Sequence, residues 1–573
     1  MSARISLDGT CPVASGPSEE TLADVSLIRL KSLGGSYDSL TIPLEEDKTT
    51  RPFAYTLHDE SQTQLLSGTK LVLAIIALDI LMFISALDAT IVATTYVPIG
   101  NALDSLGSAE WIISSYLIAM AASQPLYGAI SDLLGRVETI VAAILIFTIG
   151  SVLCAVSPSM PMLIASRAIQ GVGGGGLLSL ALIVIADIMN ERQRGKYVSI
   201  FSGTYGIASA IAPAIGGAIV QYSKWQIIFW INIPLCIIAL TMVVTLLRIP
   251  RPHGSMKEKL MRIDFGGALL CIAGVVLLLL GLAWGGRGHA WASAQVLCTL
   301  CFGILVLVLF VVYEWKVATH PIIPIRLFRM RNVIFASVCS LLFGFAINGA
   351  IMFIPQMAQI VYGASPSVSG AYLAPYCGGM VLTSILSGVL IVKTGHCRVL
   401  IVAGAGLMLL GNGLLIILGP EGALEKAIGF LLLGGLGVGA CIQTIGLVGQ
   451  ASVRGKDMAT LTATVSFFRS MGMVLAVSVL SNIIQNVLRT KTDSAIAQFP
   501  DHAASIGSVL NNWTLLHSSG FPQPVVDAFI AAYGHALRCG FIALAAFTGL
   551  FFILSFGFKH VELKEILKKT IDV

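Results

Sequence analysis

Ionisable side chains stand inside long apolar stretches of this 573-residue chain, where each one is costly. Asp79 and Asp88 lie in the stretch that begins near Leu71, while Arg167 and Arg469 lie in two later ones. A carboxyl that is reached from alternating sides of a bundle can take up and release a proton, or it can bind a cation. The two acids and the two arginines are therefore the candidates for proton and substrate binding.

The two acids are not equivalent. At ~100° per residue, a separation of nine positions places Asp79 and Asp88 on nearly opposite faces of a helix, so at most one can face a central cavity squarely. Asp88 is the better candidate, because hydroxyl-bearing residues suited to a wet site follow it: Thr90, Thr94, Thr95 and Tyr96. For either acid the alternative is a carboxylate that a neighbouring helix satisfies.

The two arginines raise different expectations. Arg167, within Arg167-Ala168-Ile169-Gln170-Gly171, needs a carboxylate or backbone carbonyls within reach, and a first-stretch carboxylate is its natural partner. Arg469 follows two phenylalanines and precedes Gly472 by three positions. It could contact a substrate, or it could extend toward the inner leaflet of a bilayer. The sequence leaves both open.

The elements that position these residues are membrane-spanning helices. The chain is 56% hydrophobic and 11% charged, which excludes an ordinary soluble domain. About 20 residues of helix cross the ~30 Å hydrocarbon layer, and the apolar runs predict fourteen spans in an all-α polytopic protein. The predicted spans begin near Leu71, Ile112, Thr139, Leu163, Tyr197, Ile227, Phe265, Val296, Val333, Gly370, Leu400, Ile428, Leu461 and Leu537.

Basic residues predict the orientation, since short cytosolic loops carry an excess of Lys and Arg. With both termini inside, the predicted outer loops hold little more than Lys224, Arg287, Lys426, Arg489 and Lys491. The formal charge of +5 is thus a topology signal, and we infer no nucleic-acid partner from it. The sequon at Asn512, in the polar segment before the last span, is a predicted outer glycosylation site.

The predicted organisation is a disordered cytosolic tail over residues 1–69, a six-helix bundle over 70–247, a linker with two extra spans over 248–331, a second six-helix bundle over 332–558, and a cytosolic tail over 559–573. The glycine runs at 173–176 and 434–439 follow no strand and precede no phosphate-binding Lys, so they predict close helix packing. We expect no enzyme, catalytic residue, metal or cofactor, because no nucleophile–base set or ligand cluster stands outside the apolar stretches.

Several motifs together resemble the major facilitator superfamily, specifically its fourteen-span drug:proton antiporter branch as found in fungi. Leu87 to Ala93 is similar to the first-span signature of that branch, and Gly128, Asp132, Gly135 and Arg136 match the loop motif between spans two and three. The stretch from Arg167 to Gly171 matches the fourth-span motif. Pro213, Gly216 and Gly217 match the fifth-span antiporter motif, with Ala208 and Ala212 where Gly is usual.

The resemblance implies roles for these residues. It implies that Asp132 locks the inward gate, that Arg167 takes part in proton coupling, and that the Pro213 segment kinks its helix. It also implies two pseudo-symmetric six-helix bundles with two extra central spans between them. An internal echo supports the duplication, because Gly388, Val392, Gly395 and His396 repeat the spacing of the loop motif without its acid.

The expected function is a proton-coupled antiporter, a monomer in the plasma membrane, that exports small amphiphilic molecules such as drugs or secondary metabolites. Its partners would be substrate, protons and the lipid bilayer. Two alternatives stay open. One is a vacuolar basic amino-acid:proton transporter, to which the Gln124–Gly128 stretch is also similar, and the other is a nutrient sensor that does not transport.

Overall fold

The computed structural model describes residues 69–189, 191–247, 249, 263–285, 290–418, 424–453, 457–498 and 523–561. These residues are almost entirely α-helical, as the apolar pattern predicts, and the sequon at Asn512 lies outside them. The first long helices are α1 (Thr69–Ile91), α2 (Trp111–Leu134), α3 (Arg136–Ala155), α4 (Met160–Ile188), α5 (Glu191–Tyr222), α6 (Asn232–Leu246) and α7 (Phe265–Trp284).

The later long helices follow in the same way. They are α8 (Ala294–Lys316), α9 (Arg331–Ile360), α10 (Ala374–Thr394), α11 (Cys397–Leu414), α12 (Leu424–Cys441), α13 (Met458–Gln498) and α14 (Gln523–Ser555). Short helices add to several of them: Tyr96–Ala102, Ile227–Trp230, Pro366–Ala371 and Thr444–Gln450.

Within the described residues, 13 helical segments are long and apolar enough to cross a membrane. The span predicted near Ile112 corresponds to α2, which has 24 residues but lies outside that set. Its serines, Gln124 and Asp132 make it more polar than its neighbours. The all-α membrane fold is therefore confirmed, while the number fourteen stays a prediction.

One predicted helix start was wrong by a wide margin. The last helix begins at Gln523 rather than near Leu537, because Asp527 and His535 lower the hydropathy of its first turns without interrupting the helix. The preceding helix, α13, has 41 residues, about twice the length that crosses a bilayer. Hydropathy locates the apolar centre of such helices better than their ends.

The helix contacts of the first half recur in the second. In the first half, α4 packs against α2 and α3, α1 packs against α5 and α6, and α3 also packs against α6. In the second half, α12 packs against α10 and α11, α9 packs against α13 and α14, and α11 also packs against α14. Every contact in the second group is one of the first with each helix number raised by eight.

The contacts between these two sets of helices obey the same relation. Helix α2 packs against α13, and α5 packs against α10. At the offset of eight, α2 is equivalent to α10 and α13 is equivalent to α5. The second contact is therefore the equivalent of the first. Helices α7 and α8 stand outside the repeat: they pack against each other, and α7 also contacts α2 and α13.

The glycine runs make the closest of these contacts possible. A Cβ at Gly173 in α4 would lie 2.6 Å from the Cα of Phe147, and a Cβ at Gly175 would lie 2.7 Å from the carbonyl oxygen of Met120. In α12, a Cβ at Gly439 would lie 2.8 Å from the backbone nitrogen of Ser384. Close helix packing by both runs, as predicted, is thus confirmed.

Candidate functional site

Asp88 and Arg167 form an ion pair inside the first set of helices. Arg167 Nη1 donates to Asp88 Oδ2 at 2.7 Å, and the two side chains are 1% and 0% exposed. The predicted partner of Arg167 is confirmed. Because neither charge touches water, each depends on the other for its stability.

Amide side chains complete the coordination of Asp88. Its Oδ1 accepts hydrogen bonds from Gln170 Nε2 at 2.8 Å and from Asn232 Nδ2 at 2.9 Å. Gln170 Nε2 also donates to the hydroxyl of Ser151, and its Oε1 accepts from Arg167 Nη1 at 2.6 Å. These contacts join α1, α3, α4 and α6 through one polar network, which we call the Asp88 network.

The guanidinium of Arg167 is held from the α2 side as well. Its Nε donates to the carbonyl of Ile112 at 3.0 Å, and its Cζ lies 4.2 Å from the centre of the Tyr116 ring, a cation–π contact. Gln170 stands in the fourth-span motif beside Arg167, but nothing in the sequence tied Asn232 or Tyr116 to this pair. Only the fold brings Asn232 to Asp88 and Tyr116 to Arg167.

The expectation that Asp88 faces the central cavity was wrong for this conformation. All its hydrogen bonds point into the first set of helices, where α4 and α6 cover it. The hydroxyls that follow it do not form a wet site either. Thr90 donates to the carbonyl of Ala86, Thr94 to that of Pro213, and Thr95 to that of Ile91.

Asp79 faces α5, away from the Asp88 network. Its Oδ2 accepts a hydrogen bond of 2.7 Å from the Thr204 hydroxyl, and its Oδ1 is buried with no hydrogen-bond partner among the described residues. The predicted separation of the two acids on the helix is confirmed.

A central cavity lies between the two sets of helices, and Arg469 lines it. Side chains of α1, α2, α4 and α5 form one wall, and those of α9, α13 and the turn after α12 form the other. Arg469 lines both of the adjoining parts of this cavity and is partly exposed. The first part is lined by Met82, Ser85, Ala89, Met120, Leu178, Tyr205, Phe343, Ile347, Ile442, Gln443, Arg469 and Met473.

The loop motif holds one end of the bundle, which we call the Arg136 end. Arg136 Nε donates to Asp187 Oδ2 at 2.7 Å, and its other nitrogens bind Asp132 and the Ser131 hydroxyl. Gly135, with φ of 115°, adopts a conformation that favours glycine and turns the chain between α2 and α3. The network is thus built from Asp132 and Asp187 around one arginine.

The loop motif also sets the approach of the two halves. A Cβ at Gly128 in α2 would lie 2.8 Å from the Cβ of Ala463 in α13. In the echo of the motif, Gly388 in α10 packs against Ser199 in α5, and Gly395 has φ of 69°. The echo is therefore structural as well as sequential, although it lacks the acid.

Hydrogen bonds cross between the two sets of helices at both ends, and sequence reasoning missed them. At the Arg136 end, Arg194 Nη1 donates to Gln450 Oε1 at 3.2 Å, and Gln450 Nε2 donates to the Thr462 hydroxyl. At the opposite end, which we call the Gln356 end, Gln356 Nε2 donates to the Tyr96 hydroxyl at 2.9 Å and its Oε1 accepts from Tyr533 at 3.4 Å. Arg194 precedes the span start predicted near Tyr197, yet it lies within α5 and is 3% exposed.

The antiporter motif lies in α5, which continues as a helix through Pro213. A Cβ at Gly216 would lie 2.7 Å from a side-chain carbon of Ile91, so this glycine allows α5 to approach the end of α1. Gly217 belongs to the same turn of the helix. On its other side the Pro213 backbone meets Gly370 of the short helix Pro366–Ala371, so the segment touches both sets of helices.

Comparison with known proteins identifies the family to which this chain belongs. Residues 78–477 match the family profile of the Major Facilitator Superfamily. The chain belongs to the major facilitator superfamily. The efflux pump dotC of Dothistroma septosporum is 34% identical over 498 residues, which are 87% of this chain and 85% of that pump. The multidrug transporter protein MdtP of Bacillus subtilis (strain 168) is 34% identical over 459 residues, 79% of this chain and 84% of the other.

A solved structure agrees with the superfamily fold. The crystal structure of the human organic anion transporter TETRAN covers 85% of this chain and 100% of its own, with a TM-score of 0.56. At 13% identity this likeness shows the shared fold alone. The resemblance that the motifs indicated is confirmed by the profile match and by the fungal efflux pump.

Proposed function

We propose that this chain is a proton-coupled antiporter that exports small amphiphilic molecules, such as drugs or secondary metabolites, by alternating access. The observation that carries the proposal is a mainly apolar cavity between two sets of helices, closed at each end by hydrogen bonds that cross between the sets. Relatives over most of the chain that are named efflux pump and multidrug transporter support the same activity. Breaking one set of end contacts at a time would open the cavity to one side at a time.

The moving parts in this proposal are two six-helix bundles. Residues 70–247 form the first and 332–558 the second, and the recurrence of helix contacts at an offset of eight supports a pseudo-two-fold relation between them. The linker 248–331 adds α7 and α8 as two extra spans, so the total is fourteen when α2 is counted. Close packing of α2 on α13 and of α5 on α10 gives the surfaces along which the bundles rock.

The proton site in this proposal is the Asp88 network. A proton on Asp88 would remove the charge that holds Arg167, and the uncompensated guanidinium would favour a rearranged bundle. Proton entry supplies ~1.4 kcal/mol per pH unit. The membrane potential adds ~2.3 kcal/mol per 100 mV for each net charge moved.

The loop motif, the antiporter motif and Arg469 have separate roles. Gly128, Asp132, Gly135 and Arg136 form the gate at the Arg136 end, which is cytosolic together with both termini. Pro213, Gly216 and Gly217 let α5 flex against α1, and Arg469 binds substrate.

Asp79, which is held by Thr204, is a secondary proton site. The transporter acts as a plasma-membrane monomer, glycosylated at Asn512, with no catalytic step.

A vacuolar transporter of basic amino acids fits the cavity less well. The charged side chain of the cavity lining is Arg469, which repels a cationic substrate, and Asp88 is not available as an anchor in this conformation. The relatives named above are an efflux pump and a multidrug transporter, which also favours export. A sensor without transport has no specific support.

Proton flux in sealed proteoliposomes tests the proposal. Under an imposed pH gradient, hydrophobic cations, neutral amphiphiles, hydrophobic anions, Lys and Arg are added in turn to the wild-type protein and to Asp88→Asn. The matched control is Asp527→Asn, which alters an exposed carboxylate on α14. Flux evoked by an amphiphile, lost in Asp88→Asn and kept in Asp527→Asn, is the expected result. Flux that Asp88→Asn leaves unchanged would reject Asp88 as the proton site.

A further inference from the structure

We propose that the substrate is an anionic amphiphile whose oxyanion group, such as a carboxylate or sulfonate, binds Arg469 in the central cavity. This inference rests on the proposed export function and adds the charge class of the substrate. It predicts that the exporter discriminates between molecules of one shape by the charge of their polar group.

Arg469 is the charged residue of the cavity. Among the side chains that line its two parts, the others are apolar or uncharged. Within the described part of the chain, no carboxylate forms a salt bridge with Arg469. A guanidinium removed from bulk water needs a counter-charge, and its planar fork matches an oxyanion by two parallel hydrogen bonds.

The other charges of the helix interior do not compensate Arg469. Asp88 is neutralised by Arg167 at 2.7 Å and neither residue lines the cavity, so that pair adds no net charge to it. Asp79 is bound to Thr204, whereas the neighbouring Tyr205 lines the cavity together with Arg469. Successive helix residues point ~100° apart. Asp79 and Arg469 therefore approach different faces of α5.

The rest of the lining suits an apolar body with one polar group. Met82, Met120 and Met473 give an adaptable surface, since the thioether side chain is flexible and polarisable, and Phe343 adds an aromatic face. Ser85, Tyr205 and Gln443 carry hydrogen-bond donors around the guanidinium. No acidic side chain among the described lining residues would repel an anion.

An anionic substrate makes transport strongly voltage-dependent. Exchange of one proton inward for one monoanion outward moves two positive charge equivalents inward per cycle. The same exchange with a neutral substrate moves one, and with a monocation it moves none. A membrane potential that is negative inside therefore drives both the inward movement of the proton and the outward movement of the anion.

The experiment uses three probes with one naphthalene body: naphthalene-2-sulfonate, naphthalene-2-sulfonamide and N,N,N-trimethylnaphthalen-2-aminium. The first and last carry fixed charges and do not cross lipid in a neutral form. Proteoliposomes with an imposed pH gradient are assayed for probe flux and for charge moved per molecule. We expect the sulfonate to move fastest and to carry twice the charge of the sulfonamide.

Two variants of the same residue test the role of Arg469. In Arg469→Gln the KM for the sulfonate should rise by roughly 10- to 100-fold, the loss expected for a charge-assisted hydrogen-bonded contact, and the KM for the sulfonamide should not change. Arg469→Lys should recover part of the loss, since it restores the charge without the fork. Arg538→Gln, at an exposed position on α14, is the matched control.

The outcomes separate the substrate class from the function. Proton-coupled flux of the sulfonamide or the cation in preference to the sulfonate would overturn the anion proposal and leave the exporter in place. An equal loss for sulfonate and sulfonamide in Arg469→Gln would also overturn it. If none of the probes evokes flux that depends on Asp88, the result counts against export itself.

Discussion

Arg167 and Asp88 are joined at 2.7 Å within the first set of helices and line no part of the central cavity, whereas Arg469 is the charged side chain in the lining of that cavity. The proposed proton site and the proposed substrate site are therefore distinct places. They are linked through α1, whose residues Met82, Ser85 and Ala89 line the cavity and whose Asp88 turns to the network. A substrate need not displace the proton by direct contact, because both can act on the position of one helix.

The Asp88–Arg167 pair predicts a stability pattern. Arg167→Gln and Asp88→Asn each leave one buried charge unpaired, which costs about 3–5 kcal/mol, whereas the double variant leaves none. We expect each single variant to lower the midpoint of thermal unfolding in detergent by more than the double variant does. Asn at position 88 keeps a polar group for Gln170 and Asn232. Single effects that simply add in the double variant would show that the charges are not coupled.

The sequence predicted the pairing of Asp88 with Arg167 but not the side chains that surround the pair. A buried arginine needs an acid, and the acids within the first span were the available partners, so the contact of Arg167 followed from charge alone. The closure of Asp88 by Asn232 could not be predicted, because it depends on α6 lying beside α1. The expectation of a wet site at Thr94 and Thr95 failed for a related reason. Thr95 donates to a carbonyl of the preceding helical turn and Thr94 to the carbonyl of Pro213 in α5, and neither bond leaves a mark in the sequence.

The cavity and its ends depend still more on three-dimensional packing. Arg469 could have faced lipid or cavity, and the contact of α13 with α2 and α9 decides for the cavity. Nothing in the sequence indicates which residues Gln356 and Gln450 contact. Their partners, Tyr96 and Arg194, lie more than two hundred residues away along the chain, so no local pattern could pair them.

The gate at the Arg136 end should be sensitive to one methyl group. In Gly128→Ala the new Cβ would lie 2.8 Å from the Cβ of Ala463, so α2 and α13 cannot close without a shift that costs about 1–3 kcal/mol. We expect slower transport with a population shifted toward opening at that end. Adding Ala463→Gly should restore the rate, which transport assays on the single and double variants measure.

A matched glycine shows whether the effect belongs to the contact. A Cβ at Gly203 in α5 would meet nothing within 4 Å, so Gly203→Ala should leave the transport rate close to that of the wild type. Equal slowing in both variants would point to a general loss of helix flexibility and against a gate at Gly128.

The Gln356 end should loosen when its glutamine is removed. Gln356→Leu loses the hydrogen bond that crosses to Tyr96, worth about 0.5–1.5 kcal/mol net, as well as a bond to Tyr533 that lies within the second set of helices. Because only the first of these bonds is broken by opening, the state open at the Gln356 end should become roughly 2- to 13-fold more populated relative to the closed one. Labelling of Tyr205→Cys by an impermeant maleimide added on that side, in a protein without its native cysteines, should therefore accelerate. Gln359→Leu breaks only a bond to Ser369 within the second set and should not change the labelling rate.

The two ends should also oppose each other. Gln450→Leu removes the bond from Arg194 across the Arg136 end and should slow the same labelling from the Gln356 side, because it favours the state that opens the other way. Since the two glutamines act on opposite states of one equilibrium, the double variant Gln356→Leu with Gln450→Leu should label at a rate between those of the single variants. Acceleration by both single variants would mean that the cavity opens at its two ends independently, and alternating access by rocking bundles would then be rejected for this transporter.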